Sequence, residues 1–571
     1  MTRKMKNKQS ALTSNKKSEM TLGKILLLAW QPFFLLIASE VILQLISIIH
    51  SFNIRDIFDA AVAGNKEILI AKAPIFIILA CGLFPFNIWL AYIRAIFVKK
   101  SSTILKQRYL KRAFDKNINE FQSSGNSRYI NDITNNANTL EEKYFQQMTV
   151  VIMSVTAFFG SLALIISINW QTLTFIIPCL GILLLIMYKS GNLLKKPEQK
   201  KAGFLEEYTR YAKETLSAFR IVKSFQLEKR ILKDFDQRST DVQDKGYEIE
   251  KRGTYLQAMN QLMSSGVALF GLLIGVRAVA KGTISVGVLF VLIIAISNLI
   301  HPIFMLSEAL PHLRSVEPIF QKMEQHLQNQ QMQEINKPYP GLEHQISLTD
   351  ISFDYPDIPV LNNADAKFKK GGKYLIIGPS GSGKSTILRL LRKYFNPDHG
   401  QIMIDDTQLN EINTDSYYQK LSNIEQNVFI FNDTIRNNIT LFQDVSDEKL
   451  NSAITAAGLD NLLNSRTNGL DDVLVNNGAE LSGGEKTRIA IARGLLAEAD
   501  IMLLDEPFAS LDDETAQKIE QRLLDLTGVT ILNVSHVVFN STKNLYDDIL
   551  LVKDGQIYAK TEESSLRSDK R

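Results

Sequence analysis

Cysteine is scarce in this chain, and charge is absent from several long stretches of it. The 571 residues include only two cysteines, Cys81 and Cys179, and both lie in apolar segments. So few cysteines exclude a small disulfide-stapled secreted domain, and the apolar setting favours packing over redox or metal chemistry for both thiols. Charged residues make up 22% and apolar residues 45%, which excludes a collagen-like or wholly disordered chain. The net charge of +4 is too small to indicate nucleic-acid binding.

Windows without any charged side chain are the strongest coarse signal. They cover residues 73–93, 149–188, 253–276 and 282–307. A transmembrane helix needs about 20 mostly apolar residues, so the window at 149–188 is long enough for two. Together with residues 25–50, where only Glu40 is charged, we predict six transmembrane helices, at about 24–50, 70–97, 148–168, 172–189, 258–279 and 284–307. A large soluble helical core is the alternative, but such cores rarely contain so many uncharged windows.

The charge is divided unequally along the chain. Residues 1–345 hold 41 lysines and arginines against 26 acidic residues, whereas residues 346–571 hold 23 against 34. The first 24 residues carry seven lysines and arginines against one acid, Glu19. Because positive residues are retained on the cytoplasmic side of a membrane, we predict a cytoplasmic N-terminus. Six spans then return the chain to the cytoplasm before its C-terminal half.

The two predicted cytoplasmic connections, residues 94–148 and 189–252, are polar and long. Their helical periodicity predicts that the spans continue as helices beyond the membrane. Helix breaks are expected near Ser123-Ser124-Gly125 and Ser217-Ala218-Phe219.

The C-terminal half contains a glycine-rich motif at residues 378–386, which read GPSGSGKST and match G-x-x-x-x-G-K-[ST] in full. An apolar run at 374–377 predicts a strand before it, and residues 387–391 predict a helix after it, which is the setting of a P-loop. Backbone N–H groups of such a loop converge on phosphates, and the helix N-terminus favours negative charge. We expect Lys384 to contact the β- and γ-phosphates of a nucleotide and the Ser385 hydroxyl to bind Mg²⁺.

A second apolar run, at residues 501–504, ends in Asp505 and Glu506. It is typical of a buried parallel strand with functional groups at its carboxyl end. We predict that Asp505 holds Mg²⁺ through water and that Glu506 polarises the attacking water as a general base. Many strands end in acids, so the pair has meaning only because a P-loop shares its domain.

The run Leu481-Ser482-Gly483-Gly484-Glu485 resembles the signature sequence of ATP-binding cassette (ABC) proteins, which P-loop proteins in general lack. Further positions resemble other elements of that family in the expected order: Tyr355 the adenine-stacking aromatic residue, Gln426 the Q-loop glutamine, Ser510-Leu511-Asp512 the D-loop, and His536 the switch histidine. Two positions depart from the family pattern. Glu485-Lys486 replaces the commoner Gln-Arg, and the loop at 475–478 lacks the acidic residue often found there.

The resemblance implies a set of site residues. The catalytic residues are expected to be Lys384, Gln426, Glu506 and His536. The residues expected to contact ATP are Tyr355, Gly378, Pro379, Ser380, Gly381, Ser382, Gly383, Lys384, Ser385, Thr386, Gln426, Ser482, Gly483, Gly484 and Asp512. The residues expected at Mg²⁺ are Ser385, Gln426 and Asp505.

Six spans ahead of one cassette are similar to an exporter-type half-transporter. The implied fold is a membrane α-helical bundle with long cytosolic extensions, followed by an α/β P-loop cassette. The expected domains are a basic cytoplasmic tail at 1–22, a transmembrane domain at 23–325, a linker at 326–345 and the cassette at 346–571. The breaks near 123–127 and 217–221 are then expected to be coupling helices that dock on the cassettes.

The family architecture implies that the chain works as a pair in the membrane. Ser482 and Gly484 of one cassette are expected to cap the ATP bound by Lys384 of the other, so two chains form a homodimer or, alternatively, a heterodimer with a related half-transporter. Closing of the pair is expected to switch the membrane helices from inward- to outward-facing and to export an amphipathic drug, lipid or peptide. A bacterial plasma membrane is the expected location.

The cargo is almost invisible in the sequence. Glu40 is the only acid inside a predicted span, and Gln44 lies one helical turn beyond it. An intramembrane ionisable residue suggests function, so we hypothesise that both residues line the substrate path and favour cationic or amphipathic cargo. A position near the outer interface is the alternative for Glu40. Two other functions stay open: an ATP-gated channel or regulatory subunit, and a soluble ABC-type ATPase that acts on nucleic acid, against which the six spans argue.

Overall fold

The computed structural model describes residues 21–169, 207–328, 337–355 and 358–559, together with Pro178, Gly181 and Phe204. The chain divides into two compact units: the first comprises residues 1–116 and 121–328, and the second comprises residues 117–120 and 329–571. Among the described residues, the first unit contains helices and no strand, and the second contains two β-sheets with helices.

The helices of the first unit differ widely in length. In order they are α1 (Leu22–Leu28), α2 (Trp30–Val62), α3 (Lys66–Phe114), α4 (Ile118–Ser124), α5 (Asn126–Asn131), α6 (Ala137–Leu140), α7 (Gln147–Asn169), α8 (Phe219–Ser224), α9 (Glu228–Ala280), α10 (Val286–Ser315) and α11 (Glu317–His326). Two π-helical segments, Asp132–Asn136 and Glu141–Gln146, flank α6, so the chain from α5 to α7 is nearly continuous helix.

Four of the six predicted spans coincide with helical stretches that are long and apolar enough to cross a membrane. These stretches are Trp30–Val62, Lys66–Phe114, Asn126–Ile168 and Val286–His326. The predicted span at 258–279 lies in α9, whose apolar part, Ser265–Ala280, is shorter. The predicted span at 172–189 lies outside the described residues, apart from Pro178 and Gly181. The number of six spans therefore stays a prediction.

Helices α3 and α9 are much longer than a membrane is thick. They contain 49 and 53 residues, which at 1.5 Å per residue is about 75–80 Å, more than twice the ~30 Å of hydrocarbon. The polar halves of both helices must therefore extend into water, as the polar connections predict. Breaks in the helical structure occur at both predicted places. Gly125, with a φ of 75°, separates α4 from α5, and Ala218 precedes α8.

The outer faces of the long helices are apolar. Large side chains are mostly exposed there, for example Phe34, Ile70, Phe84 and Phe159. Exposing so much apolar surface to water is unfavourable, whereas the surrounding lipid tails are themselves apolar. The inner faces pack together instead, with α10 against α2 and α7 around Val291, Ala295 and Leu299.

The second unit contains two sheets. A sheet of six strands has the order β10-β9-β3-β8-β7-β6, and a sheet of four has the order β2-β1-β4-β5. The strands are β1 (Gln345–Tyr355), β2 (Ile358–Lys369), β3 (Lys373–Ile377), β4 (His399–Ile404), β5 (Thr407–Gln408), β6 (Leu421–Ile424), β7 (Ile501–Asp505), β8 (Thr530–Val534), β9 (Asp548–Lys553) and β10 (Gln556–Ala559). The helices are α12 (Lys384–Leu391), α13 (Thr414–Tyr418), α14 (Ile435–Thr440), α15 (Asp447–Ala456), α16 (Asp460–Asn464), α17 (Gly483–Leu496) and α18 (Asp513–Leu524).

Five strands of the larger sheet run parallel, from β6 through β7, β8 and β3 to β9. The apolar runs predicted as strands are β3 and β7, and both are buried nearly throughout. Parallel strands place their carboxyl ends at one edge of the sheet. The ends of β3, β6, β7 and β8 therefore bring together the residues that follow them, and these include most of the predicted site.

Candidate functional site

The loop at residues 378–383 joins β3 to α12 and is shaped by its glycines. Gly378 has a φ of 153°, and a Cβ there would lie 2.2 Å from the Val552 carbonyl oxygen, so only glycine fits. Lys384 begins α12 and is buried, and its Nζ donates to the carbonyl oxygens of Gly378 and Pro379 at 3.0 and 2.8 Å. The lysine thus lies under the loop, where its ammonium group can reach a phosphate.

Two groups at the loop, the Lys384 ammonium group and the Ser382 hydroxyl, are suited to contact an anion. Burial lowers the pKa of Lys384, while the nearby Glu506 and Asp505 act in the opposite direction. The Ser382 hydroxyl oxygen is buried and has no hydrogen-bond partner among the described residues. A buried hydroxyl needs a partner, and a phosphate oxygen would supply one. These groups therefore fit the phosphates of a nucleotide.

Ser385 and Asp505, two of the residues predicted to bind Mg²⁺, are in contact. The Ser385 hydroxyl donates to Asp505 Oδ1 at 2.9 Å, so the two oxygens that were predicted to bind Mg²⁺ are adjacent. The described residues contain no cluster of three or more His, Cys, Asp or Glu side chains that could hold a metal by themselves. Mg²⁺ usually needs only one or two protein oxygens beside substrate phosphates and water. The pair fits that ion in the company of a nucleotide.

Glu506 follows β7 and has partners on both sides. Gln426 Nε2 donates to Glu506 Oε2 at 3.0 Å, and His536 Nε2 lies 3.1 Å from Glu506 Oε1. Glu506 has a φ of 52°, which turns its side chain at the strand end. The sheet register explains the meeting, since Ile424 pairs with Leu504 and Asp505 pairs with Val534. Three of the predicted catalytic residues are therefore in contact, whereas the part of Gln426 in binding Mg²⁺ stays a prediction.

Tyr355 ends β1 and lies beside the P-loop helix. Its hydroxyl accepts a hydrogen bond from Arg389 Nη1 at 2.8 Å and is 3.5 Å from Thr386 Oγ1. Its ring makes edge contacts with Phe353 and Phe395. Tyr355 therefore lies beside the predicted phosphate loop, and its stacking on adenine stays a prediction. No sequence motif relates Arg389 to Tyr355, so this contact could not be predicted.

The signature residues lie at the start of α17. Ser482 caps this helix through a capping box with Glu485, whose Oε2 accepts from the Ser482 N–H at 2.7 Å. A Cβ at Gly484 would come within 3.0 Å of the Ser510 carbonyl oxygen, and Thr487 Oγ1 is 3.0 Å from Ser510 Oγ. The signature therefore contacts its own D-loop. In the described part of the chain, no hydrogen bond joins residues 482–484 to residues 378–386.

Asp512 has a structural partner of its own. It is the N-cap of α18 and accepts from the Thr515 N–H at 2.9 Å, and that backbone bond is the main reason why the pKa of Asp512 is lowered. Its predicted contact with ATP stays a prediction.

The two departures from the signature pattern meet each other. Lys486 Nζ donates to the Asn477 carbonyl oxygen at 2.8 Å, and Asn477 Oδ1 accepts from the Ile430 N–H at 2.8 Å. Asn476 and Asn477 have φ values of 49° and 57°, a conformation that asparagine tolerates well. The loop at 475–478 is thereby tied to both the signature helix and the segment after Gln426. Neither contact follows from a motif.

The first unit, called the membrane unit below, holds the two residues predicted to line the substrate path. Glu40 is fully buried in α2, and its Oε1 accepts from Arg94 of α3 at 2.5 and 3.1 Å. Gln44 lies against Gly160 of α7, where an added Cβ would be 2.9 Å from Gln44 Oε1. Glu40 thus has a cationic partner inside the protein that the sequence analysis did not foresee. A role for either residue in substrate binding stays a prediction.

Comparison with known proteins adds a family to this geometry. The family described as ABC transporter matches residues 361–509, and the family described as ABC transporter transmembrane region matches residues 32–303. An ATP-dependent lipid A-core flippase from Desulfotalea psychrophila is 26% identical over 542 residues, which cover 92% of this chain and 93% of the relative. An uncharacterized ABC transporter ATP-binding protein, YfiC of Bacillus subtilis, is 27% identical over 517 residues, which cover 87% and 83%. The solved structure of a bacterial Atm1-family ABC exporter with ATP bound shares the fold, with a TM-score of 0.79, 22% identity and coverage of 96% of this chain and 97% of its own.

Proposed function

Because the chain belongs to the ABC transporter family, as an exporter-type half-transporter that hydrolyses ATP to drive transport, we propose that two copies clasp two ATP molecules between their cassettes. The observation that carries this proposal is the exposed signature. Ser482 and Gly483 are exposed and make no hydrogen bond to their own P-loop among the described residues, while Lys384, Asp505 and Glu506 converge on one side of that loop. An exposed signature that is not hydrogen-bonded to its own P-loop is available to contact the nucleotide of a second cassette.

The residues of one cassette divide the work of hydrolysis. Lys384 and the loop N–H groups hold the phosphates, and Tyr355 supplies a ring for the adenine. Gln426 and His536 hold Glu506 so that its carboxylate can accept a proton from the attacking water. Mg²⁺, held by Ser385 and Asp505, would neutralise charge on the phosphates. Ser482 and Gly484 of the partner cassette complete the site.

ATP binding favours the closed pair, because the nucleotide contacts both cassettes only there. Closing switches six transmembrane helices from inward- to outward-facing through the extended α3 and α9, with coupling helices near residues 123–127 and 217–221. Both termini are cytoplasmic, and the membrane is a bacterial plasma membrane. A homodimer has two complete sites, whereas a heterodimer with a related half-transporter is the alternative.

The exported substrate is amphipathic: a lipid, a drug or a peptide. A relative covered almost end to end is a lipid A-core flippase, which supports a lipid-like cargo. Glu40 and Gln44 are proposed to face the path of that cargo. Transport assays on Glu40→Gln in proteoliposomes test this part of the proposal, and unchanged uptake of every cationic candidate would contradict it.

Cross-linking tests whether the two cassettes pair around ATP. Cys81 and Cys179 are replaced by alanine, and Ser380→Cys and Ser482→Cys are introduced with Glu506→Gln to stop turnover. We expect a disulfide between two chains that forms with ATP and Mg²⁺ and not with ADP. Tight ATP binding without that cross-link would contradict the paired site. Accumulation of substrate against a gradient in proteoliposomes separates a pump from an ATP-gated channel.

A further inference from the structure

Two carboxylates lie side by side at the edge of the larger sheet. In the parallel pair of β6 and β7, Ile424 is level with Leu504, so Glu425 follows β6 beside Asp505 at the end of β7. Neighbouring strands are about 4.8 Å apart, and like charges at that distance repel. The next residues along the same strands are Gln426 and Glu506, which are hydrogen-bonded. The repulsion therefore arises next to the general base.

A buried arginine stands at both carboxylates. Arg392 Nη1 lies 3.6 Å from Asp505 Oδ2 and 4.0 Å from Glu425 Oε1. Only 3% of the Arg392 side chain is exposed, and its Nε and Nη2 have no hydrogen-bond partner among the described residues. A buried guanidinium with so few hydrogen bonds is costly to the fold, so its charge must be offset by these two acids.

The surroundings fix all three groups. The Arg392 N–H donates to the Leu388 carbonyl oxygen at 2.8 Å, which holds the residue at the end of α12. Tyr394 donates from its hydroxyl to Glu425 Oε1 at 2.6 Å, so this carboxylate cannot turn away. Asp505 uses its other oxygen, Oδ1, for Ser385. The oxygen of Asp505 that faces Arg392 is thus the one that Ser385 does not occupy.

We propose that Arg392 is a positioning residue for ATP hydrolysis: its guanidinium shares one positive charge between Glu425 and Asp505 and thereby sets the orientation and the effective negative charge that Asp505 offers to Mg²⁺. The inference rests on the proposed use of Mg²⁺ at Asp505. Arg392 and Glu425 are not among the residues proposed to hold the nucleotide or the metal. Arg392 thereby connects Glu425, which precedes Gln426, to Asp505, which precedes Glu506.

The shared charge predicts opposite effects from the two partners. Arg392→Met removes the cation while keeping most of the side-chain volume, so Asp505 attracts a divalent ion more strongly. Glu425→Gln leaves the cation to Asp505 alone, so Asp505 attracts the ion less. We expect Mn²⁺ affinity to rise about three- to tenfold in the first variant and to fall by a similar factor in the second, as expected for one charge at this distance. Arg392→Lys keeps the charge, so its Mn²⁺ affinity should stay close to that of the parent.

The experiment measures Mn²⁺ binding by electron paramagnetic resonance in the full-length chain with ATP and with Glu506→Gln as the parent, so that no turnover intervenes. Thermal unfolding of each variant checks folding, and the Arg392→Lys and Glu425→Gln pair serves if Arg392→Met does not fold. If both variants shift Mn²⁺ affinity in the same direction, or neither shifts it, the inference is overturned while the proposed function stands. If the parent itself binds no Mn²⁺ with ATP, the proposed metal site fails and the inference fails with it.

Discussion

The two units of the chain satisfy their buried or half-buried carboxylates in different ways. In the cassette, Asp505 and Glu506 find Ser385, Gln426 and His536 at the ends of neighbouring strands or at the start of the adjacent helix. In the membrane unit, the partners come from helices that no motif relates. A parallel sheet always places the carboxyl ends of its strands at one edge. Helix packing brings polar groups together only where whole helix surfaces fit each other.

Three carboxylates illustrate the membrane unit. Glu40 pairs with Arg94, Asp59 accepts from the Gly287 N–H and the Ser285 hydroxyl at 2.7 Å each, and Asp132 accepts from the Tyr109 hydroxyl at 2.6 Å. Each contact joins two different helices or helical segments. Such contacts join helices of the bundle, while those in the cassette are proposed to serve ATP hydrolysis. The comparison therefore predicts that the same kind of substitution affects turnover in one unit and stability in the other.

The largest effect is expected at Glu506. Glu506→Gln keeps the hydrogen-bonding shape but removes the base, so ATP turnover should fall about 10²- to 10⁴-fold. ATP affinity and the unfolding temperature should stay close to those of the parent, because the site has lost a proton acceptor and not a packing group. Steady-state hydrolysis, nucleotide binding and thermal unfolding are the measurements. Glu514→Gln is the matched control, since Glu514 is exposed and pairs with Lys518 at the surface.

Arg94 should show the reverse pattern. Arg94→Met leaves Glu40 buried without its cation, which should reduce the free energy of unfolding by about 3 kcal/mol. The double variant Glu40→Gln/Arg94→Met should recover most of that loss, because no unpaired charge is left. Unfolding of the full chain in detergent micelles measures both. Lys100→Met is the control, since Lys100 donates a hydrogen bond to Gln31 at an exposed 3.3 Å contact. Equal losses in the single and double variants would mean that the ion pair is not the source of the effect.

Gly287 tests how closely the helices of the membrane unit fit. A Cβ at this position would lie 2.3 Å from the Arg55 carbonyl oxygen, so Gly287→Ala forces α2 and α10 apart. We expect a loss of about 1–3 kcal/mol in the free energy of unfolding, as for overpacked cores. Gly82→Ala in α3 is the matched control, because nothing lies within 4 Å of its added Cβ. If both variants unfold alike, the close approach of the two helices is wrong.

The same contrast explains what the sequence could predict. The motif around Lys384 and the apolar runs at 374–377 and 501–504 were enough to predict the strand-loop-helix and the two buried strands, because local sequence determines them. The sheet rule then predicts that Ser385 and Asp505 meet. Four apolar stretches were predicted as spans from composition alone and agree with the structure.

Other contacts could not be predicted, for a physical reason. Arg94 belongs to a helix whose rotation depends on every side chain that packs against it, so its pairing with Glu40 has no local signature. Arg392 and Glu425 are ordinary charged residues in sequence, and only the register of β6 with β7 and the end of α12 bring them to Asp505. The apolar part of α9, Ser265–Ala280, is shorter than the predicted span at 258–279, because the uncharged window at residues 253–276 contains several polar side chains.

The smallest effect is expected at Glu485, where both partners of a contact are local in sequence. Glu485 Oε2 accepts from the Ser482 N–H at 2.7 Å, and the Glu485 N–H donates to Ser482 Oγ at 3.2 Å, so the capping box is complete without a distant residue. Glu485→Ala should cost the cassette about 1 kcal/mol, the usual value of a helix cap. Glu485→Gln keeps an acceptor in the same place, so it should unfold within a few tenths of a kcal/mol of the parent. Thermal unfolding of the full chain compares the two; equal losses would show that the charge at the helix N-terminus, and not the capping bond, stabilises the signature helix.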